Sequence, residues 1–189
     1  MKALAGCLAL ILATSAFPQS SAFPKNYNDI QAGKAWFEAT PRKSPMTDEL
    51  IASFILRAAP NEPLDPVRGE LYMTCSDKRK AEAGFGATRT IGDLQQDVLI
   101  RGSAEMHGGQ SWVETSIRID DMRVSKSWER NRSMTVLKID DETMKALFKA
   151  KLVVIGFNDD VEQPHFAVFK MADVDSSRVI DVCGLAPKN

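Results

Sequence analysis

The sequence is poor in the residues that most enzyme chemistry needs. Its 189 residues include two histidines, three cysteines and two tyrosines. Neither His107 nor His165 lies in a triad motif. A G-x-S-x-G elbow, a phosphate-binding loop, a dinucleotide fingerprint and an H-E-x-x-H helix are all missing. Charge of one sign is missing too: 24 basic residues stand against 25 acidic ones. Such a balance lacks the electrostatic footprint of a nucleic-acid binder. Past the first 22 residues, no run approaches the roughly 20 apolar residues of a bilayer-spanning helix. Internal repeats and low-complexity segments are also absent. These gaps point away from an enzyme, a cofactor or a metal.

What is present begins at the N-terminus. Met1-Lys2 precedes an uncharged stretch from Ala3 to Ala13, and small residues follow up to Ser20-Ser21-Ala22. A short basic start, an apolar core and a small-residue end make a secretory signal peptide. Cleavage is expected before Phe23, with Ala16 as the second choice. Leu4-Ala5-Gly6-Cys7 also spells a lipoprotein box. Only three residues precede Leu4 and the apolar run continues past Cys7, so soluble export is preferred to a lipid anchor at Cys7. The mature chain would then be periplasmic or secreted. Removing Lys2 leaves 23 basic residues against 25 acidic ones, net −2. About 167 residues remain, enough for one domain with a single core.

Cleavage removes Cys7 and leaves Cys75 and Cys183. An even count in an exported chain argues for a disulfide. Two buried free thiols are the alternative. Metal binding is disfavoured, because no histidine or third cysteine lies close to either in sequence.

Residues 23–45 read as an irregular, proline-containing lead-in. Ile30 to Ala39 is a possible short helix, and Trp36 and Phe37 are candidates for docking on the core. Residues 46–189 read as one β-rich domain. Leu50 to Ala58 suits a strand buried on both faces. Glu70 to Ser76 alternates, which turns Leu71, Met73 and Cys75 inward. Residues 85–89 and 98–101 are weaker strand patterns. Ser111 to Ile119 puts Val113, Thr115, Ile117 and Ile119 on one face. With Met122 to Trp128 it forms a hairpin across Asp120-Asp121. Ser133 to Ile139 alternates again. Asp140-Asp141 begins the best helix, with Met144, Leu147 and Phe148 at helical spacing and Lys149 and Lys151 at its other end. Leu152 to Phe157 and His165 to Met171 are further strands. Ser176 to Cys183 suits a short terminal helix ended by Gly184. Strands in neighbouring runs predict a mainly β fold, an antiparallel β-sandwich or curved sheet with one packed helix and a short C-terminal helix.

Three paired carboxylates, Asp120-Asp121, Asp140-Asp141 and Asp159-Asp160, fall where the chain turns. Aspartate favours turns and helix starts because its side chain bonds nearby backbone N–H groups. None has calcium-loop spacing, although convergent loops offer an alternative route to a calcium site. Trp112 and Trp128 flank the hairpin and are expected to pack in the core rather than to form a ligand platform. Asn131-Arg132-Ser133 matches the N-glycosylation sequon.

The order of several motifs resembles the periplasmic type VI secretion-associated proteins of the VasI/TagO kind. Ser44-Pro45-Met46-Thr47-Asp48 is similar to that family's S-P-M-D-D stretch. Leu71-Tyr72-Met73-Thr74-Cys75 resembles its strand ending in R-C, with threonine in place of arginine. Ile117-Arg118-Ile119-Asp120-Asp121 resembles its Y-R-I-D-D segment, and Trp128 its following tryptophan. Leu152-Val153-Val154 resembles its K-L-V-V strand. Cys183 stands where that family ends in a cysteine, and the resemblance adds support to a Cys75–Cys183 bond. Gln163-Pro164 replaces its serine-proline, and Met171-Ala172-Asp173 its glycine-leucine-aspartate.

The resemblance implies a non-enzymatic envelope protein, accessory to a larger assembly and bound to an envelope protein partner. A sheet edge, or a face carrying Arg118, Asp120 and Trp128, is the expected contact. The alternatives are a small-ligand or ion carrier, which needs a pocket of about 300 Å³ or more, and a secreted effector or hydrolase. The last would need His107 or His165 beside a carboxylate in a cleft.

Overall fold

Alternating apolar and polar residues dominate from Leu50 onward, and strands follow from that period. A computed structural model describes residues 36–44, 46–59, 67–77, 80–91, 94–101, 105–107 and 110–185. The export signal with Phe23 and Cys7, and the Ile30 end of the possible helix, lie outside the described residues.

Among the described residues, eleven strands form one antiparallel sheet: β1 (Phe37–Lys43), β2 (Leu50–Arg57), β3 (Val67–Ser76), β4 (Glu82–Ile91), β5 (Leu94–Asp97), β6 (Glu105–His107), β7 (Gln110–Ile119), β8 (Met122–Arg130), β9 (Val136–Ile139), β10 (Val153–Asn158) and β11 (Pro164–Phe169). Two seven-residue α-helices, α1 (Asp141–Leu147) and α2 (Ser177–Cys183), and a short 3-10 helix at Met171–Asp173 accompany it among the described residues. The spatial order is β1-β2-β3-β4-β9-β8-β7-β10-β11. β9 and β5 share the outer side of β4, and β6 and β10 share that of β7.

The sheet curls without closing, and its two halves face each other across one core. Phe85 of β4 meets Phe157 of β10 edge-to-face, with centroids 5.2 Å apart. Gly69 of β3 is so close to β11 that an added Cβ would lie 2.2 Å from the Cβ of Ala167. Just past β2, the Ala59 N–H donates to the Val168 carbonyl of β11 at 3.0 Å. Trp128, Phe54, Phe85, Phe169, Leu71 and Ile117 fill the interior.

The mainly β class and the curved-sheet form agree with the sequence pattern, as do the inward faces of β3 and β7. Several local expectations are corrected. β2 is buried on one face only, through Ala52, Phe54 and Leu56, because the alternate face looks outward from a single-layered half. The lead-in is not irregular throughout: Phe37 to Lys43 pairs with β2, so a helix cannot run to Ala39. Ladder bonds there outweigh weak local helical preference. Residues 98–101 form no strand: Arg101 bridges to Asn158, the Val98 and Ile100 N–H groups donate to the Ala87 and Met134 carbonyls, and the strand beside β4 is β5. α1 stops at Leu147, so Lys149 and Lys151 lie beyond it.

Caps account for the helix ends. Asp140 accepts the Thr143 N–H, and Asp141 and Glu142 occupy the first turn. Thr143, Met144 and Leu147 turn inward. α2 buries Val179 and ends at Gly184, whose φ of 62° is left-handed.

Candidate functional site

Cys75 and Cys183 are joined, with Cα atoms 5.3 Å apart, so the pairing read from the sequence is present. The bond ties α2 to β3. The same helix holds the N-terminal strand. Trp36 Nε1 donates to Ser176 Oγ at 3.0 Å, Arg178 meets Glu38 at 3.2 Å, and the Trp36 ring stacks on Phe148. Trp36 does dock the lead-in, and it does so on the two helices.

Each aspartate pair organises a turn. Asp120, at φ 52°, accepts the N–H groups of Lys151 and Leu152 at 2.8 and 2.9 Å, which fastens the β7–β8 turn to the start of β10. Asp140 accepts Trp128 Nε1 as well as the Thr143 N–H and hydroxyl. Burial pushes the Asp140 carboxyl up, but these donors and the Lys126 charge outweigh it, and its pKa lies below the usual value. Among the described residues, no group of three histidine, cysteine or acidic side chains converges as a metal site.

Asp159 sits in a polar cluster on the β10–β11 turn. Its Oδ1 accepts the Val161 and Gln163 N–H groups, and its Oδ2 meets Arg89 Nη2 at 2.8 Å and His165 Nε2 at 3.1 Å. Burial raises the Asp159 pKa, yet the His165 bond and the two backbone donors carry it below the usual range. His165 thus stands beside a carboxylate, as a hydrolase would require. That carboxylate is 1% exposed and committed to four donors, which closes a turn and holds the imidazole against the Phe157 ring. His107 pairs with Gln110 at the β6–β7 connection, away from this cluster in the sheet.

A second polar cluster gave no signal as a motif. On the outer face, the buried Glu70 carboxylate accepts Arg57 Nε at 2.9 Å and the Tyr72 hydroxyl at 2.6 Å. The Tyr72 ring lies over Gly86, where a Cβ would come within 2.8 Å of it. Burial first, and then the bond to Glu70, push the Tyr72 phenol well above its ordinary pKa. The period-two pattern of β3 places Glu70 and Tyr72 on one face, but only the sheet order brings Arg57 and Thr88 to them.

The residues expected to meet a partner divide. Trp128 is 1% exposed, faces Val113 and belongs to the core. Trp112 pairs with Glu129 on the opposite face, so the two tryptophans do not pack across the hairpin. Arg118 lies on the outer face opposite Arg123, donates to the Asp120 carbonyl at 2.7 Å and reaches Asp121 at 3.7 Å. Arg118 and Asp120 therefore share one corner, and Trp128 does not join them. β8 continues from this corner, and among the described residues β9 pairs with it at Glu129 and Arg130 only.

Two small cavities lie among the described residues. One of about 10 Å³ lies between Trp36, Leu71 and Phe148, and one of about 60 Å³ lies beside Glu49, Cys75 and Lys80. Ligand pockets commonly span roughly 300–1,000 Å³. Comparison with protein-family models, curated proteins and solved structures returned no match.

Proposed function

We propose that this chain is an exported, non-enzymatic envelope protein that binds a protein partner as an accessory of a larger secretion assembly. The β8 stretch that β9 does not reach among the described residues, next to Arg118 and Asp120, carries this reading, because it forms an exposed corner of the sheet. Other observations support it. The joined cysteines suit an oxidising compartment. The Asp159–His165 and Asp140 clusters are committed to turn and cap bonds. Partner contact is assigned to Arg118 and the β8 edge, and Trp128 supports that edge from the core side.

The test uses the full chain with its own N-terminus. Cell fractionation with intact mass should recover a mature protein beginning at Phe23, with no free thiol. A photo-crosslinking residue placed at Ser125 should give a discrete protein adduct that the same residue at Thr74 on β3 does not give. Retention in the cytosol with two reduced cysteines, or equal adducts from both positions, would count against the proposal.

A further inference from the structure

α2 is a short helix with few anchors, and two of them lie on the N-terminal strand and its approach. Seven residues are too few for a helix to stand alone. α2 packs on β2 and β3, yet it buries only Val179, and Ser177, Arg178, Asp181 and Val182 are exposed. At its start Ser176 makes no side-chain cap bond, and its hydroxyl accepts Trp36 Nε1 instead. Arg178 pairs with Glu38 of β1. β1 for its part is joined to β2 by a ladder that carries Pro41 and a break in register between Ala39 and Arg42. Proline removes a ladder donor, so this pairing is weaker than a regular one.

Among the described residues, one covalent bond ties these two elements to the core, from Cys183 to Cys75. Its two sulfurs differ in access. Cys183 is half-buried at the last residue of α2, whereas Cys75 is 4% exposed on β3. The rest of the sheet is held without either element. The β7–β8, β7–β10 and β10–β11 ladders are continuous, and Phe85 against Phe157 joins the two halves. Local opening free energies differ across a fold, and an element with little buried surface opens most easily.

We infer that the Cys75–Cys183 bond is a redox latch on the N-terminal strand: a dithiol opens it in the folded protein, and α2 and β1 then open together while the rest of the sheet stays closed. One thiolate of the dithiol attacks Cys183 Sγ, the more accessible sulfur, and Cys75 leaves as a thiolate that takes up a proton. The second thiol of the dithiol then displaces Cys183 from the mixed disulfide. The dithiol ends as a disulfide and both cysteines as thiols. Opening uncovers Cys75 and the margin of β2 that β1 occupies, so the bond state governs an edge remote from the β8 corner. The competing account is a passive staple, whose loss weakens the whole fold and opens nothing locally.

The first arm of the test uses the oxidised wild-type chain in native buffer. Dithiothreitol should reduce the bond at least tenfold faster than the chain unfolds globally, and glutathione with an acid quench should trap the mixed disulfide on Cys183. The second arm uses Cys7→Ser with Cys183→Ser, which leaves Cys75 as the one thiol. Iodoacetamide should label Cys75 at least tenfold faster than global unfolding allows. Trp36→Phe, which loses the donor to Ser176, should speed labelling roughly fivefold. Asp159→Asn, on the turn at the other end of β11, should leave it unchanged. Were Cys75 exposed only by global unfolding, that substitution would speed it about thirtyfold. Amides of β1 should exchange with the same shallow urea dependence as the labelling, and those of β10 with the steep global one. Reduction that waits for global unfolding, a mixed disulfide on Cys75, labelling that follows Asp159→Asn and ignores Trp36→Phe, or β1 amides that follow β10 would each overturn the inference. Should the variants fail to fold, the wild-type arm decides.

Discussion

Replacing Cys183 by serine should cost this protein about a third or more of a typical domain's stability, and most of the cost should arise in the unfolded chain. The Cys75–Cys183 bond closes a loop with a sequence separation of 108. Chain-entropy bookkeeping for a loop of that length amounts to about 5 kcal/mol at 25 °C. In a domain of this size each kcal/mol moves the melting midpoint by roughly 2–4 °C, so a fall of about 10–20 °C is expected. Cys183 is the position to change, because it is half-buried while Cys75 is inside the core. The other anchors of α2, namely buried Val179, the Trp36–Ser176 bond and the Arg178–Glu38 pair, survive the substitution. The folded state should therefore keep its near-ultraviolet dichroism. Urea titration followed by tryptophan fluorescence, on oxidised wild type, reduced wild type and Cys183→Ser, measures the difference. The two thiol-free-bond forms should coincide, with a steeper denaturant slope than the oxidised protein, because an uncrosslinked chain exposes more surface on unfolding. A loss under about 1 kcal/mol in both would refute the reasoning.

Other perturbations test the rest of the framework. Asp159→Asn should lower stability at neutral pH by about 2 kcal/mol, since buried donors lose their charged acceptor. The folded pKa of Asp159 is depressed, so its contribution is present above the unfolded value of about 4 and is lost as the pH falls through the folded one. The gap between wild type and variant in denaturation midpoints should therefore close as the pH falls below about 4. Gly69→Ala should destabilise by about 3 kcal/mol, because its methyl would overlap the Ala167 Cβ and the Phe85 ring. Ala167→Gly should restore part of that loss in a double-mutant cycle. Tyr72→Phe should cost about 1–2 kcal/mol and leave Glu70 with Arg57. Of the two tyrosines, Tyr72 should resist ionisation in an alkaline titration at 295 nm until the protein unfolds, and the Phe variant should lack that late step.

Much of this molecule is legible one residue at a time. Alternation marks β3 and β7 because a strand sends successive side chains to opposite faces. The Asp140 cap and the Gly184 stop are legible because both act within a single turn of chain. The two remaining cysteines could be paired by counting. Legibility fails where a decision depends on a neighbour distant in sequence. Leu50 to Ala58 looked buried on both faces, but a half-sheet with one covered side needs only Ala52, Phe54 and Leu56 inside. Phe37 to Lys43 gains its strand from β2, and β5 gains its own from β4.

The functional corner divides in the same way. Sequence alone determined the hairpin, its Asp120–Asp121 turn and the presence of Arg118 and Trp128 on it, since hairpin register follows from turn length and side-chain alternation. Alternation and apolar character put Trp128 in the core and Arg118 off the Ile117–Ile119 face, but do not decide which face of the hairpin the fold buries. That depends on which side of the hairpin the rest of the sheet covers. Nor could sequence alone tell that, among the described residues, β9 reaches only two residues of β8, because that depends on where a strand from elsewhere in the chain comes to rest.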